Sequence, residues 1–270
     1  MKILFTDLDG TLLNNQSRVS EYTKKVLEEM VSRGHKLVLS SGRPLDSIKG
    51  VAKADGLTYP GIYIVANNGS TVYDCDSDRI IMEKTVDFEY VDKVWNLCLD
   101  RGIHIQTYTS DSVVSCADDE EIKVYTSKIF LPVINTLKPL EVLTKEPYKL
   151  LAIELKDKSI LDKLQADIIA KYGDTLNAIF SEPKYLEIFN RNAGKGEALK
   201  WLCEYLNIPI ENSYAAGDQM NDLSMVQEAG HGIAMCNGAE TLMKQASIIS
   251  TETNDEDGLA HLIEKYILEE

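Results

Sequence analysis

No stretch of the 270-residue chain approaches the roughly twenty consecutive apolar residues that a membrane-spanning helix requires, so no membrane partner is expected. The opening residues, MKILFTDLDG, read as a strand and not as a basic region leading into a signal-peptide core, and a cytoplasmic location is expected. Basic residues are in deficit. Twenty-eight Lys and Arg against 43 Asp and Glu leave a net charge of −15 and a pI near 4.8, whereas a nucleic-acid binder needs a cationic face to displace counterions. Nucleic acid is therefore not an expected partner. Cysteine is sparse: Cys75, Cys98, Cys116, Cys203 and Cys236 form no CxxC pair, which fits reduced thiols and not a disulfide framework or a zinc site. Histidine is rarer still, and His35, His104, His231 and His261 lack metalloprotease spacing. Each is read as structural or superficial unless the fold brings it to a site. Internal repeats and low-complexity tracts are also missing.

What is present is enough apolar content, 44%, to bury the core of one large domain or two of ordinary size. The first third alternates buried-strand runs with helical spacing. Ile3 to Phe5 is followed by a helix over Ser20 to Arg33 that carries Val19, Tyr22, Val26, Leu27 and Met30 on one face and ends at Gly34. The strand "KLVLS", the turn "SGRP", a second helix and the strand "IYIVA" come next. Asn68-Gly69 then signals a hairpin returning through "TVYD". The middle of the chain pairs strands beside helices, which predicts a separate α+β unit with an antiparallel sheet. Alternation returns from the helix at Lys195 onward, through "SYAAG", "GIAM" and "SIIS". The fold class expected is α/β: a doubly wound Rossmann-like parallel sheet from residues 1–82 and 187–270, interrupted by an inserted α+β unit at 83–186.

Ligands of a parallel α/β sheet bind beyond the carboxyl ends of its strands, and the unusual residues of this chain collect there. Strand one ends in Asp7-Leu8-Asp9-Gly10-Thr11, strand two in Ser40-Ser41-Gly42-Arg43, and "SYAAG" in Gly217-Asp218-Gln219-Met220-Asn221-Asp222. Four carboxylates at one edge repel unless a cation compensates them, and hard oxygen ligands with few histidines favour Mg²⁺. Ser41, amides near glycines, Lys195 and Asn221 suit a tetrahedral dianion, hence a phosphoryl group. Alternation along an extended strand would put Asp7 and Asp9 on one side, one to attack phosphorus and the other to move protons. Arg43 is read as a loop anchor, and the tract "DDEEIK" as a solvated helix start.

These motifs, "DLDGTL", "SSGRP", the lysine of "GKGEAL" and "AAGDQMND" in that order, resemble the haloacid dehalogenase superfamily, specifically its Cof-type, subfamily IIB sugar-phosphate phosphatases. The resemblance spans the chain. It departs in carrying serine where threonine is frequent at position 41, and Ala193-Gly194 before the lysine. It implies that Asp7 is the nucleophile, Asp9 the general acid and base, and Lys195 the catalytic cation. Leu8, Ser41, Gly42, Lys195 and Asn221 would contact the phosphate. Mg²⁺ would be held by Asp7, the main-chain carbonyl of Asp9 and Asp218, with Asp222 orienting the metal waters or Lys195. The inserted unit would be a cap of the second type. The partner expected is a small phosphomonoester, handled by a monomer or weak homo-oligomer. Two other outcomes are weighed: a phosphomutase on hexose phosphates and a metabolite-binding module without turnover.

Overall fold

A computed structural model describes residues 1–127 and 131–269 of the chain. In chain order the elements of the first compact unit are β1 (Ile3–Thr6), α1 (Glu21–Ser32), β2 (Lys36–Ser40), α2 (Leu45–Ala54), β3 (Ile62–Ala66), β4 (Thr71–Asp74) and β5 (Arg79–Glu83). The second unit holds α3 (Phe88–Leu99), β6 (His104–Tyr108), β7 (Val113–Ser115), α4 (Glu120–Thr126), β8 (Val133–Asn135), β9 (Lys149–Ile153), α5 (Lys158–Tyr172), β10 (Leu176–Glu182) and β11 (Tyr185–Asn190). The chain then returns to the first unit with α6 (Lys195–Tyr205), β12 (Ser213–Gly217), α7 (Leu223–Glu228), β13 (His231–Ala234), α8 (Glu240–Met243), β14 (Ile248–Ile249) and α9 (Gly258–Ile263).

The first unit comprises Met1–Glu83 and Ala193–Glu270. Its strands lie in the order β14-β13-β12-β1-β2-β3-β4-β5, parallel from β14 to β3 and antiparallel at β4 and β5. β1, at the centre, is buried on both faces, as continuous apolar strands of parallel sheets are. Period-two alternation divides it. Leu4 packs with Val26, Leu27 and Met30 of α1, whereas Ile3 and Phe5 pack with Ala198, Leu199 and Leu202 of α6. Ser20 caps α1 by accepting from the Thr23 amide at 3.0 Å, and Gly34, at φ +88, ends the turn that follows. Between β13 and β14 the helical connection is the single turn α8.

The second unit is Lys84–Asn192. Its sheet runs β10-β11-β9-β6-β7-β8, antiparallel except for the parallel pair of β7 and β8. One face is covered by Val91, Val94, Trp95 and Cys98 of α3 and by Leu161, Leu164 and Ile168 of α5, packed on Ile105, Leu150, Ala152, Leu186 and Ile188. The expected cut between residues 186 and 187 is corrected to 192 and 193. It would have split β11, which pairs along its length with β9 and β10. Residues 128–130, inside the expected inserted unit, lie outside the described residues. Among the described residues no helix is long and apolar enough to cross a membrane.

Candidate active site

The site is built on the carboxyl end of β1. The Asp7 amide still donates to the Ala216 carbonyl at 2.9 Å, so Asp7 is held as though the ladder continued. Its side chain shares the parity of Ile3 and Phe5 and emerges where α6 begins. There Lys195, the first residue of α6 and 1% exposed, places Nζ 2.6 Å from Asp7 Oδ1 and 2.6 Å from Asp222 Oδ1. The other oxygen of Asp222 accepts from the amides of Asp218 and Gln219 at 3.0 and 3.1 Å. Both Asp222 oxygens are thus committed: the residue orients Lys195 and braces the loop that carries Asp218. The structure closes that loop tightly, since a Cβ on Gly217 would fall 2.4 Å from Asp222 Cβ.

Asp218 is cradled from other directions. Thr11 Oγ1 donates to its Oδ1 and Gln219 Nε2 to its Oδ2, both at 3.3 Å, while a Cβ on Gly10 or Gly238 would lie 2.5 Å from atoms of Asp218. The Thr11 hydroxyl thus reaches across from the turn after β1 to Asp218. Asp7 and Asp9 do line one cavity, as expected, but strand alternation is not the reason. β1 stops at Thr6, and the Leu8 carbonyl accepts from the amides of Thr11, Leu12 and Leu13 as the chain turns through Gly10 at φ +80. The Asp9 carboxylate meets Arg43, with Nε 2.9 Å from Oδ2 and Nη2 2.5 Å from Oδ1.

The phosphate-binding candidates follow β2. Ser41 is buried, its amide bonds to the Val65 carbonyl, and its hydroxyl accepts from the Arg43 amide at 3.2 Å. The "NNG" turn after β3 supports this loop. Asn67 and Asn68 both adopt positive φ, their amides donate to the carbonyls of Arg43 and Ser41, and a Cβ on Gly42 would meet Asn68 Oδ1 at 2.8 Å. Of the expected residues, Asp7, Asp9, Ser41, Gly42, Asp218 and Asn221 line one cavity of about 260 Å³, together with Arg43 and Gln219. Lys195 and Asp222 lie buried beside it. The Leu8 side chain packs in the core, so only its main chain is available for an anion.

Charge decides what the cavity can accept. Burial pushes Asp7 up to about 7; Lys195 opposes this, and Asp222 and Asp218 reinforce it. Asp218 is raised by burial and by Asp222. Lys195 is raised in spite of its burial, because Asp7 and Asp222 face it. The ligand atoms of Asp7, Asp218 and Asp222 lie within 4.8 Å of one another, and three carboxylates against one ammonium leave two negative charges unmatched. An all-oxygen donor set with that surplus fits a hard divalent cation.

Residues 4–263 match the family of haloacid dehalogenase-like hydrolases. The chain belongs to that family. Among haloacid dehalogenase-like relatives, it is 31% identical over 293 residues to a Bacillus subtilis protein named 5-amino-6-(5-phospho-D-ribitylamino)uracil phosphatase, covering 99% of this chain and 98% of the relative. A second Bacillus subtilis phosphatase is 27% identical over 296 residues, covering 99% and 100%. Among solved structures, a Thermotoga maritima protein superposes with a TM-score of 0.81 at 32% identity, covering 98% of this chain and 97% of that one. Of the residues at the site, Arg43 and Gln219 were passed over as actors. Both stand inside quoted motifs, but nothing in linear order shows that Arg43 meets Asp9.

Proposed function

We propose that this phosphatase of the haloacid dehalogenase-like family hydrolyses small phosphomonoesters, phosphorylated sugars or sugar-alcohol derivatives, through an aspartyl-phosphate on Asp7. The observation that carries the reading is the buried Asp7–Lys195–Asp222 array opening on the cavity that Ser41, Gly42 and Asn221 share. The Bacillus subtilis relative, named as a phosphatase of a phosphorylated ribitylamino compound, supports the substrate class.

Lys195 holds Oδ1 of Asp7, which leaves Oδ2 to attack phosphorus in line. The Ser41 hydroxyl, the Gly42 amide and the Asn221 side chain bind the phosphoryl oxygens. Asp9 gives its proton to the leaving oxygen, then takes one from the water that cleaves the aspartyl-phosphate, so carboxylate and acid are both restored. Mg²⁺ would be held by Asp7, Asp218 and the Asp9 carbonyl, and supplies charge neutralisation for an anionic attack on an anion. In this reading residues 84–192 serve as the family's cap, and the enzyme works in the cytoplasm. The test is phosphate release from a panel of sugar phosphates and phosphorylated sugar alcohols, with and without Mg²⁺. Asp7→Asn is expected to lower Mg²⁺-dependent turnover by at least about 10⁴-fold. Undiminished release by that variant refutes the aspartyl-phosphate route, and isomerised sugar phosphate in place of free phosphate would make the protein a mutase.

A further inference from the structure

The second unit brings together three side chains that the phosphatase reading does not use. His104 opens β6, Cys116 follows β7, and Asp119 stands at the N-terminus of α4. Their side chains converge on one imidazole nitrogen. Asp119 Oδ2 is 2.7 Å from His104 Nδ1, Cys116 Sγ is 3.9 Å from the same atom, and all three ligand atoms lie within 4.8 Å of one another.

The convergence argues against a nucleophilic triad. In a triad the base uses one ring nitrogen for the thiol and the other for the carboxylate. Here thiol and carboxylate share Nδ1, while Nε2 faces Gln106 Oε1 at 3.3 Å. That glutamine is itself fixed: its Nε2 donates to the Tyr108 hydroxyl at 3.0 Å, and Tyr108 donates to Tyr125 at 2.7 Å. The chain of donors runs one way, so the imidazole presents an Nε2–H to Gln106 and turns Nδ1 toward the thiol and carboxylate.

We propose that His104 Nδ1, Cys116 Sγ and Asp119 Oδ2 form a transition-metal site suited to Zn²⁺, separate from the oxygen-lined site at Asp7. Mixed nitrogen, sulfur and oxygen donors select a borderline-soft ion and not Mg²⁺. Bond lengths of about 2.0–2.3 Å at tetrahedral angles set ligand atoms about 3.4–3.6 Å apart, and the distances from Nδ1 to Asp119 and Cys116 straddle that range. Each ligand is also braced from behind. The Ile105 amide donates to Cys116 Sγ at 3.3 Å, the Ile122 amide to Asp119 Oδ1 at 3.1 Å, and Gln106 holds the ring, which is the outer support that metal-binding side chains normally have. The Asp119 side chain is 31% exposed, giving the ion a way in and a solvent ligand for the fourth position.

Co²⁺ is the probe, because a thiolate ligand gives it an intense near-ultraviolet charge-transfer band that oxygen ligands do not. The full chain, stripped of metal and titrated with Co²⁺, is expected to develop that band at one equivalent and to lose it when one equivalent of Zn²⁺ is added. Cys116→Ser should abolish the band. Asp218→Asn, which alters the other site, should retain it. Absence of the band in the wild-type protein overturns the proposal whatever the variants do, and so does a band that survives in Cys116→Ser.

Discussion

At the scale of single residues, the pairing of Asp9 with Arg43 asks why a proton-transferring carboxylate should be clamped at both oxygens. The Asp9 side chain is 58% exposed and that of Arg43 31%, so the pair adds well under about 1 kcal/mol to stability. Its effect lies in orientation. A guanidinium fork fixes the plane of a carboxylate that the turn at Gly10 has thrown off the strand, and a lysine can offer only a point charge. Arg43→Ala is therefore expected to lower kcat by about 10–100-fold with the melting temperature almost unchanged, the range of one general acid–base contribution partly lost. Arg43→Lys should recover only part of that rate. Steady-state kinetics beside a thermal melt check both, and a melting temperature that falls in step with kcat would make the arginine structural. This contact also marks where the sequence stopped being legible. The residues gathered at the strand ends could be read from motif and spacing, and the structure brings Asp7, Asp9, Ser41, Gly42, Asp218 and Asn221 to one cavity. Which way each side chain points depended on a turn that begins before alternation reaches Asp9.

At the scale of elements, the hairpin turn "NNG" between β3 and β4 carries more than a change of direction. Gly69, at φ +95, lies so close to the loop before α6 that a Cβ would stand 2.2 Å from the Gly194 carbonyl and 2.7 Å from the Lys195 amide. The turn therefore sets the start of α6, and through it the Lys195 ammonium between Asp7 and Asp222. Gly69→Ala meets both backbone strain and this collision, and the loop before α6 must retreat. A misplacement of about 1 Å at a reacting group costs about 10²-fold in rate, so turnover should fall by that order while far-ultraviolet circular dichroism keeps its native shape. Unchanged kcat would show that the loop absorbs the methyl without moving Lys195. The elements that carried a clear apolar pattern, α1, β1 to β3 and β12, were all legible. β5 and β8 were not expected as strands, because both are exposed along most of their length, so no buried face imposes an alternating pattern.

At the scale of the whole molecule, the chain leaves the first unit once, after Glu83, and returns once, at Ala193. Residues 84–192 are thus a single uninterrupted segment, with the buried cluster around Trp95, Leu150 and Leu186 lying entirely inside it. Trp95 is fully buried there, among the largest side chains so enclosed, and both covering helices, α3 and α5, come from the same segment. Its sheet needs no strand from elsewhere, since each pairing of β6 to β11 is made within it. A segment that owns its sheet, its helices and its core satisfies what independent folding requires of a domain. Expressed alone, residues 84–192 are expected to unfold cooperatively in urea, with a stability in the range of roughly 5–15 kcal/mol usual for a domain of about a hundred residues. Trp95 is the sole tryptophan of this segment, because the other, Trp201, belongs to α6. Its fluorescence therefore reports the transition without interference, and a gradual, non-cooperative change would show that the segment depends on the rest of the chain for its fold.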